Sequence, residues 1–260
     1  MTNTYKIHFT TYIFYLILIL SGYINYLFYY LIIIVVHELG HIIMIHLLNL
    51  KIISLTIYPF GGIINTNINY NLNSNKLFLI SIAGILFQTF LFWPLKNISN
   101  YDVFKTLNTS IIIFNLLPII PSDGSKIFIS FIERFISYKN TLILSNAISI
   151  ISLIILFILS KNIFIFVILY FINAKTIRLF YYIINKFKLE RYLYKHRYKK
   201  LVYVENENDL KKCRNNYIKY DNIYVEENKY FENKFGKTYW QNPEILVSSK
   251  LFVSIHYKPH

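Results

Sequence analysis

The sequence predicts an all-α polytopic membrane protein with about six transmembrane helices, a short membrane-proximal β-hairpin and a small cytoplasmic α/β tail. Two observations carry most of this prediction. Hydrophobic residues make up 55% of the 260 residues and charged residues only 15%, which excludes an ordinary soluble globule. Long apolar runs recur from Phe9 to about Asn185, whereas the remainder is rich in charge.

Acidic residues divide the chain near Asn185. Residues 186–260 hold nine of the thirteen carboxylates, together with sixteen Lys and Arg. The first 185 residues hold the other four, which are Glu38, Asp102, Asp123 and Glu133. We therefore predict a membrane domain over 1–185 and a basic cytoplasmic tail over 186–260. The single cysteine, Cys213, excludes an internal disulfide.

A bilayer core about 30 Å thick needs about 20 apolar residues per helix. The candidate spans are 9–22, 26–48, 77–95, 103–121, 142–160 and 163–184. An even count puts both termini on one side, and the basic segment Lys186–Lys200 places that side in the cytoplasm. The same segment fits contact with anionic lipid headgroups, so the bilayer is an expected partner and direct nucleic-acid binding is not.

Two short stretches outside the spans show β-like patterns. Lys51–Asn67 reads "KIISLTIYPFGGIINTN", in which β-branched residues alternate with polar ones on either side of a Pro and Gly turn. It predicts a hairpin near the cytoplasmic face, with a plain loop as the alternative. In the tail, "KKLVYVE", "NDLKKCRNNYI" and "DNIYVEE" suggest a strand–helix–strand order.

The second span contains "HELGH", with His37 and His41 four residues apart. On a helix this spacing puts both imidazoles on one face, where they can bind one metal ion. Glu38 lies beside the first histidine and can reach a metal-bound water without being a ligand. A self-satisfied polar cluster is the alternative, but ionisable groups inside an apolar span usually mark a functional site.

A catalytic zinc site needs a third protein ligand and one open position. His46 is unsuitable because five residues of helix rotate it about 140° from the His41 direction, so we interpret it as a packing or interface residue. Asp123, in "NLLPIIPSDG" (Asn115–Gly124), is the better candidate. Spans two and four both run inward, so the aspartate should meet the histidines near the cytoplasmic face.

"HELGH", "PFGG" (Pro59–Gly62) and "NLLPIIPSDG" resemble the motifs of the site-2 protease family of intramembrane zinc metalloproteases. The resemblance covers most of residues 1–185, and the short chain with a cytoplasmic tail is most similar to the sporulation members. It implies one zinc ion on His37, His41 and Asp123, with Glu38 as catalytic acid/base. The residues that it implies for substrate binding are Asn115, Pro59, Phe60, Gly61, Gly62 and Pro121.

By the same resemblance, the substrate would be a membrane-associated pro-protein, namely a sporulation pro-sigma factor. Regulatory membrane proteins would be partners, and the membrane around the forespore would be the location.

The chain also departs from the family motifs. In the third span the motif here is "AGILFQT", with Ile85 in place of proline and Gln88 near the position of an asparagine. The tail resembles at most a shortened CBS-like nucleotide-sensing module.

Two other functions remain open on the sequence. A catalytically inactive scaffold would use the zinc site structurally, although such a site needs no general base at Glu38. A metal-ion transporter would use the same residues as an ion path, but such paths favour repeated polar residues along several spans.

Overall fold

The computed structural model describes residues 4–59, 61–98, 100–160, 174, 177–193, 198–220 and 222–235. Within them the fold is mostly helical, with two small sheets. The helices are α1 (Phe9–Leu20), α2 (Ile24–Leu47), α3 (Ser74–Phe90), α4 (Tyr101–Leu116), α5 (Asp123–Ile132), α6 (Tyr138–Ser160), α7 (Phe180–Leu193) and α8 (Glu227–Phe235). The strands are β1 (Thr4–Ile7), β2 (Ile52–Tyr58), β3 (Gly61–Thr66), β4 (Leu201–Val204), β5 (Asn215–Tyr220) and β6 (Ile223–Glu226).

Two helices in the described residues are long and apolar enough to cross a bilayer, over Tyr26–Leu47 and Tyr138–Leu159. They coincide with the second and fifth predicted spans. The first and third spans appear as shorter apolar helices, α1 and α3. The fourth ends at Leu116 because Leu117 takes an extended conformation before Pro118. Much of the sixth span, including 161–173, lies outside the described residues, so the count of six is not confirmed.

The predicted hairpin is confirmed, since β2 and β3 pair antiparallel. Strand β1 was missed by the sequence analysis; it pairs parallel with β2 and completes a sheet of order β1-β2-β3. Only four residues long and exposed throughout, β1 carries no hydrophobic alternation that could reveal it. The sheet packs against the helices through buried apolar side chains, namely Ile45, Leu50, Ile52 and Leu72.

The tail is an α/β unit, but the predicted helix over 208–218 is wrong. Turns occupy residues 205–214, and β5 follows as the central strand of the order β4-β5-β6. Pairing on both edges, with Ile218 buried, outweighs the helical preference of a short charged segment. The buried Asn216 amide stabilises this path by donating to the Lys211 and Arg214 carbonyl oxygens. The helix comes last, as α8.

The tail shares a hydrophobic core with the start of α6. Tyr138 and Leu142 from α6 pack in one buried cluster with tail side chains that include Phe187, Leu210 and Phe231. A backbone hydrogen bond adds to this contact: the Tyr138 N–H donates to the Leu210 carbonyl oxygen at 3.0 Å. Helix α7 also runs straight through the predicted division near Asn185. The tail and the first part of the chain therefore pack as neighbours.

Glu190 on α7 ties the tail to the loop between β3 and α3. Its carboxylate accepts three consecutive backbone N–H groups, at 3.3 Å from Asn69, 2.8 Å from Tyr70 and 2.7 Å from Asn71. Backbone amides that turn inward in sequence in this way form a concave anion-binding site. The contact fixes the loop that leads out of the hairpin.

Replacing Glu190 with Ala should release this loop. Losing charge-assisted hydrogen bonds of this kind costs about 2 kcal/mol, and the amides of residues 69–71 should exchange with deuterium faster than in the unaltered protein. Glu205→Ala is the matched control, because that carboxylate lies in an exposed pair with Lys219 elsewhere in the tail. Equal exchange at 69–71 in all three proteins would contradict this role for Glu190.

Candidate metal centre

Three buried side chains from two distant segments converge at one point. His37 and His41 lie on α2, and Asp123 is the first residue of α5. The Asp123 Oδ2 lies 2.9 Å from His37 Nε2 and 3.0 Å from His41 Nε2, and the two Nε2 atoms are 3.0 Å apart. These are the three residues predicted as ligands, and their donor atoms lie close enough together to hold one ion.

The outer ring nitrogens show which atoms are free to bind a metal. The His41 Nδ1 lies 2.8 Å from the Ile80 carbonyl oxygen, which can only accept, so this nitrogen carries a proton. The His37 Nδ1 lies 3.0 Å from Gln88 Oε1. The orientation of that amide follows from its nitrogen, which donates to both Asn108 oxygens. Both Nδ1 atoms therefore donate, which leaves Nε2 as the ring nitrogen that can offer a lone pair to a metal.

A cation fits this donor set. Lone pairs on two imidazole nitrogens and a carboxylate oxygen repel one another at this distance unless a positive charge, a proton or a metal ion, lies between them. Imidazole and carboxylate are zinc ligands, and hydrogen bonds from the far ring nitrogens to carbonyl groups are typical of zinc-bound histidines. The three ligand side chains are almost fully buried, which limits competition from bulk water.

Lys126 holds the other oxygen of the aspartate. Its Nζ lies 2.8 Å from Asp123 Oδ1, three residues along α5, so Oδ2 remains for the histidines. Asp123 also begins the helix, where exposed backbone N–H groups favour a negative charge. The sequence analysis did not assign Lys126 a role in the site, although its i+3 spacing from the aspartate was visible.

The turn before α5 carries Asp123 into place. α4 ends at Leu116, and α5 begins at Asp123 after an extended turn. The Ile120 N–H donates to Ser149 Oγ on α6 at 2.9 Å, which anchors this turn. A side chain at Gly124 would lie 2.3 Å from the Leu116 carbonyl oxygen, so only glycine lets α5 start this close to α4.

Helix α3 supports the histidines from the opposite side. A Cβ atom at Gly84 would lie 2.5 Å from His41 Nε2 and 2.9 Å from His37 Nε2. One turn further along, the fully buried Gln88 joins His37 to Asn108 on α4. Gln88 entered the sequence analysis only as a departure from a family motif, and Asn108 did not enter it at all. Their positioning role follows from contacts between helices, which one sequence does not reveal.

Glu38 contacts the hairpin. Its Oε1 accepts the Gly62 N–H at 2.6 Å, and its Oε2 is buried without a hydrogen-bond partner among the described residues. Cβ atoms would lie 3.0 Å from Oε1 at Gly61 and 2.7 Å from Oε2 at Gly62. Gly61 also adopts a φ of 136°, which L side chains rarely take. The glycine pair therefore lets the strand lie against the carboxylate.

The structure also gives positions for three of the other predicted residues, Pro59, Asn115 and Pro121. Pro59 is in the hairpin turn, where its carbonyl oxygen accepts the Tyr30 hydroxyl at 2.6 Å. Asn115 is half-buried in the last turn of α4, and Pro121 is exposed in the turn before Asp123. Phe60 lies outside the described residues. His46 is exposed in the last turn of α2 and does not belong to the cluster.

The fold of the chain is similar to that of one solved protein. No protein-family model matches the chain. A solved structure titled "Site-2 Protease from Methanocaldococcus jannaschii" matches with a TM-score of 0.50 and 22% identity, over 65% of this chain and 88% of that one. At this identity the match establishes the fold alone.

Among curated proteins, the chain is similar to stage IV sporulation protein FB of Bacillus subtilis (strain 168). The two are 32% identical over 117 residues, which cover 42% of this chain and 41% of that protein. The alignment therefore spans about two fifths of the relative's length. Together the two comparisons confirm the resemblance to the site-2 protease family that the three motifs predicted.

Replacing Gln88 with Met should weaken metal binding while leaving all three ligands in place. Methionine has a similar length but offers His37 Nδ1 no carbonyl, so the ring loses its fixed orientation. Loss of such a partner lowers metal affinity by roughly 10- to 100-fold, measured by competition with a fluorescent zinc chelator. Thr89→Val, at the neighbouring exposed position of α3, should bind zinc normally, and equal affinity in both variants would refute the role of Gln88.

Proposed function

We propose that the protein is an intramembrane zinc metalloprotease that hydrolyses a peptide bond in a membrane-associated pro-protein. His37, His41 and Asp123 hold one zinc ion, and Glu38 is the catalytic acid/base. The observation that carries the proposal is the convergence of the three lone-pair donors beside a glutamate with one unpaired oxygen. Both comparisons support a protease of this family.

Bound zinc would supply Lewis-acid activation of a water molecule and of the scissile carbonyl. The chain's own residues do the rest. Glu38 accepts the water proton at Oε2 and later returns it to the leaving amine, while its Oε1 stays hydrogen-bonded to the Gly62 N–H. Gln88 and the Ile80 carbonyl keep both imidazoles oriented. Lys126 keeps the second Asp123 oxygen occupied, so the carboxylate cannot turn away.

The hairpin offers an edge for the substrate backbone. Because the Gly62 N–H donates to Glu38, it points away from β2. The Thr66 N–H, four residues on, donates to the Asn69 side chain rather than to β2. In an antiparallel strand the amides alternate between the two sides, so the Ile64 N–H and C=O face the same outer edge. An unwound substrate segment added there would run past Glu38.

The substrate and setting follow from the resemblance. We infer a sporulation pro-sigma factor as the pro-protein, regulatory membrane proteins as partners, and a multi-pass protein with about six spans and both termini in the cytoplasm. The name of the curated relative supports a role in sporulation. The basic tail, with its contacts to the start of α6, supports its placement at the cytoplasmic face.

An inactive scaffold is the second candidate. Against it stands Glu38 Oε2, a buried acceptor that has no hydrogen-bond partner among the described residues and is suited to accept a proton. A transporter is less supported, because the described residues contain one group of three possible metal ligands and no series of them along the helices.

Glu38→Gln tests the mechanism, because it keeps the size of the side chain and the metal ligands but removes the base. Co-expressed with a membrane-tethered pro-protein, this variant should cleave about 10²- to 10⁴-fold more slowly, the usual contribution of a general acid/base. Immunoblotting measures the cleavage and mass spectrometry the bound zinc, which should stay stoichiometric. Glu205→Gln in the exposed tail is the control. Cleavage by Glu38→Gln at the unaltered rate would exclude this mechanism, whereas no cleavage by the unaltered protein or by the variant would favour a scaffold.

Ile64→Pro tests the strand-addition hypothesis. Proline removes the outward N–H without breaking a hydrogen bond to β2, and one backbone hydrogen bond contributes about 1 kcal/mol. Cleavage should fall about fivefold, while zinc content stays unchanged. Ile64→Val keeps both the N–H and the β-branched shape and should cleave normally. Equal rates for the two variants would show that the substrate does not pair with this edge.

A further inference from the structure

A fully buried ion pair joins the tail to the helix that carries Asp123. Lys212 Nζ lies 2.9 Å from Glu133 Oε2, and their side chains are 2% and 0% exposed. The Lys212 ammonium also lies 5.4 Å from the centre of the Tyr138 ring. Removing one member of such a pair leaves the other charge buried and uncompensated. Replacing either Lys212 or Glu133 should therefore disturb the contact between the tail and α5.

Glu133 and Asp123 are the two ends of one rigid element. Asp123 is the first residue of α5, and Glu133 is the C-cap, whose N–H donates to the Ile129 carbonyl. At 1.5 Å per residue the two Cα atoms are about 15 Å apart along the helix axis. A helix this short moves as a rod, so its position at Glu133 affects the position of Asp123.

The tail holds Lys212 firmly. The Arg191 guanidinium donates to the Lys212 carbonyl oxygen at 2.7 Å and to the Arg214 carbonyl oxygen at 2.9 Å, and it pairs with Glu227. These three contacts connect α7, the turn over 205–214 and α8. Arg191 is only 3% exposed. The turn that contains Lys212 is therefore fixed within the tail by a buried guanidinium.

The tail contacts the other half of the site as well. Glu190, one residue before Arg191 on α7, binds the loop that follows the hairpin. The tail therefore contacts both α5, which begins with Asp123, and the loop after β3, the strand whose Gly62 N–H donates to Glu38.

We propose that Lys212 and Glu133 are a positioning pair, through which the tail holds α5 and so sets the distance of Asp123 from His37 and His41. The affinity of the site for zinc then depends on the tail, although no tail residue touches the metal. The proposal rests on the proposed function only in taking Asp123 as a zinc ligand. A partner that displaces the turn over 205–214 would lower the affinity of the site for zinc without contacting the metal.

The test is zinc affinity of the full-length protein in detergent, measured by chelator competition, together with the melting temperature of the metal-free protein. Lys212→Met removes the charge at similar length, and the double variant E133Q/K212M also removes the carboxylate left behind. We expect both variants to bind zinc about tenfold more weakly, the lower end of the range for partners that orient ligands. The matched control is E205Q/K219M, which neutralises the exposed pair in the same tail and should keep normal affinity.

The outcomes separate positioning from simple stabilisation. A pair that only stabilises the fold would lower the melting temperature and leave the affinity of the folded protein unchanged, and that result would overturn the proposal. If neither neutral variant folds, Lys212→Arg, which keeps the charge on a different head group, is judged by the same affinity criterion. Asp123→Asn serves as the reference. If this variant binds zinc as tightly as the unaltered protein does, the proposed function is overturned. If Asp123→Asn binds zinc weakly but the Lys212 variants bind it normally, only the positioning role is overturned.

Discussion

Three lone-pair donors that repel one another are held together at a buried point, and most of the described structure around them serves that contact. The two imidazole nitrogens and the Asp123 oxygen approach to 2.9–3.0 Å. Lone pairs this close repel one another unless a proton or a metal ion lies between them, and the surrounding structure brings them together. α2 provides two donors on one face, α5 provides the third, and α3 holds the imidazoles in place through the Ile80 carbonyl and Gln88.

The requirement for close approach explains the glycines near the site. Gly84 leaves room for both imidazoles, Gly62 for the Glu38 carboxylate, and Gly124 for the start of α5 against α4. A side chain at Gly84 or Gly62 would overlap the imidazoles or the Glu38 carboxylate, and one at Gly124 would overlap the Leu116 backbone. "HELGH" follows the same rule, since a Cβ at Gly40 would lie 2.7 Å from the Ala83 carbonyl oxygen and would force α2 and α3 apart.

Outside the candidate metal centre, one buried ion pair joins the tail to the first part of the chain, and another lies within the tail beside it. Glu133 with Lys212, and Arg191 with Glu227, are paired away from water. Such pairs are weak sources of net stability but costly to break, so they favour one arrangement over alternatives. In this protein the Glu133–Lys212 pair holds the tail against α5, and Glu190 holds it against the loop after the hairpin. The tail is thereby connected to the aspartate and to the strand beside Glu38.

The sequence alone determined the chemistry that depends on local spacing. Helical periodicity puts His37 and His41 on one face, and alternation with Pro and Gly predicted the hairpin. The motif order, with Pro118 and Pro121 before Asp123, predicted that Asp123 is the third candidate ligand. These features are readable because the interacting residues, or the turns that aim them, are close along the chain.

Only the tertiary structure decided the contacts between distant segments. Strand β1 forms because β2 offers it an edge, and residues 215–220 become a strand because they gain two partners. Gln88, Asn108, Lys126 and Lys212 acquire their roles from the neighbours they meet. Such pairings depend on how the helices and strands pack, and the free energy of packing is a property of the whole fold and not of any window of the sequence.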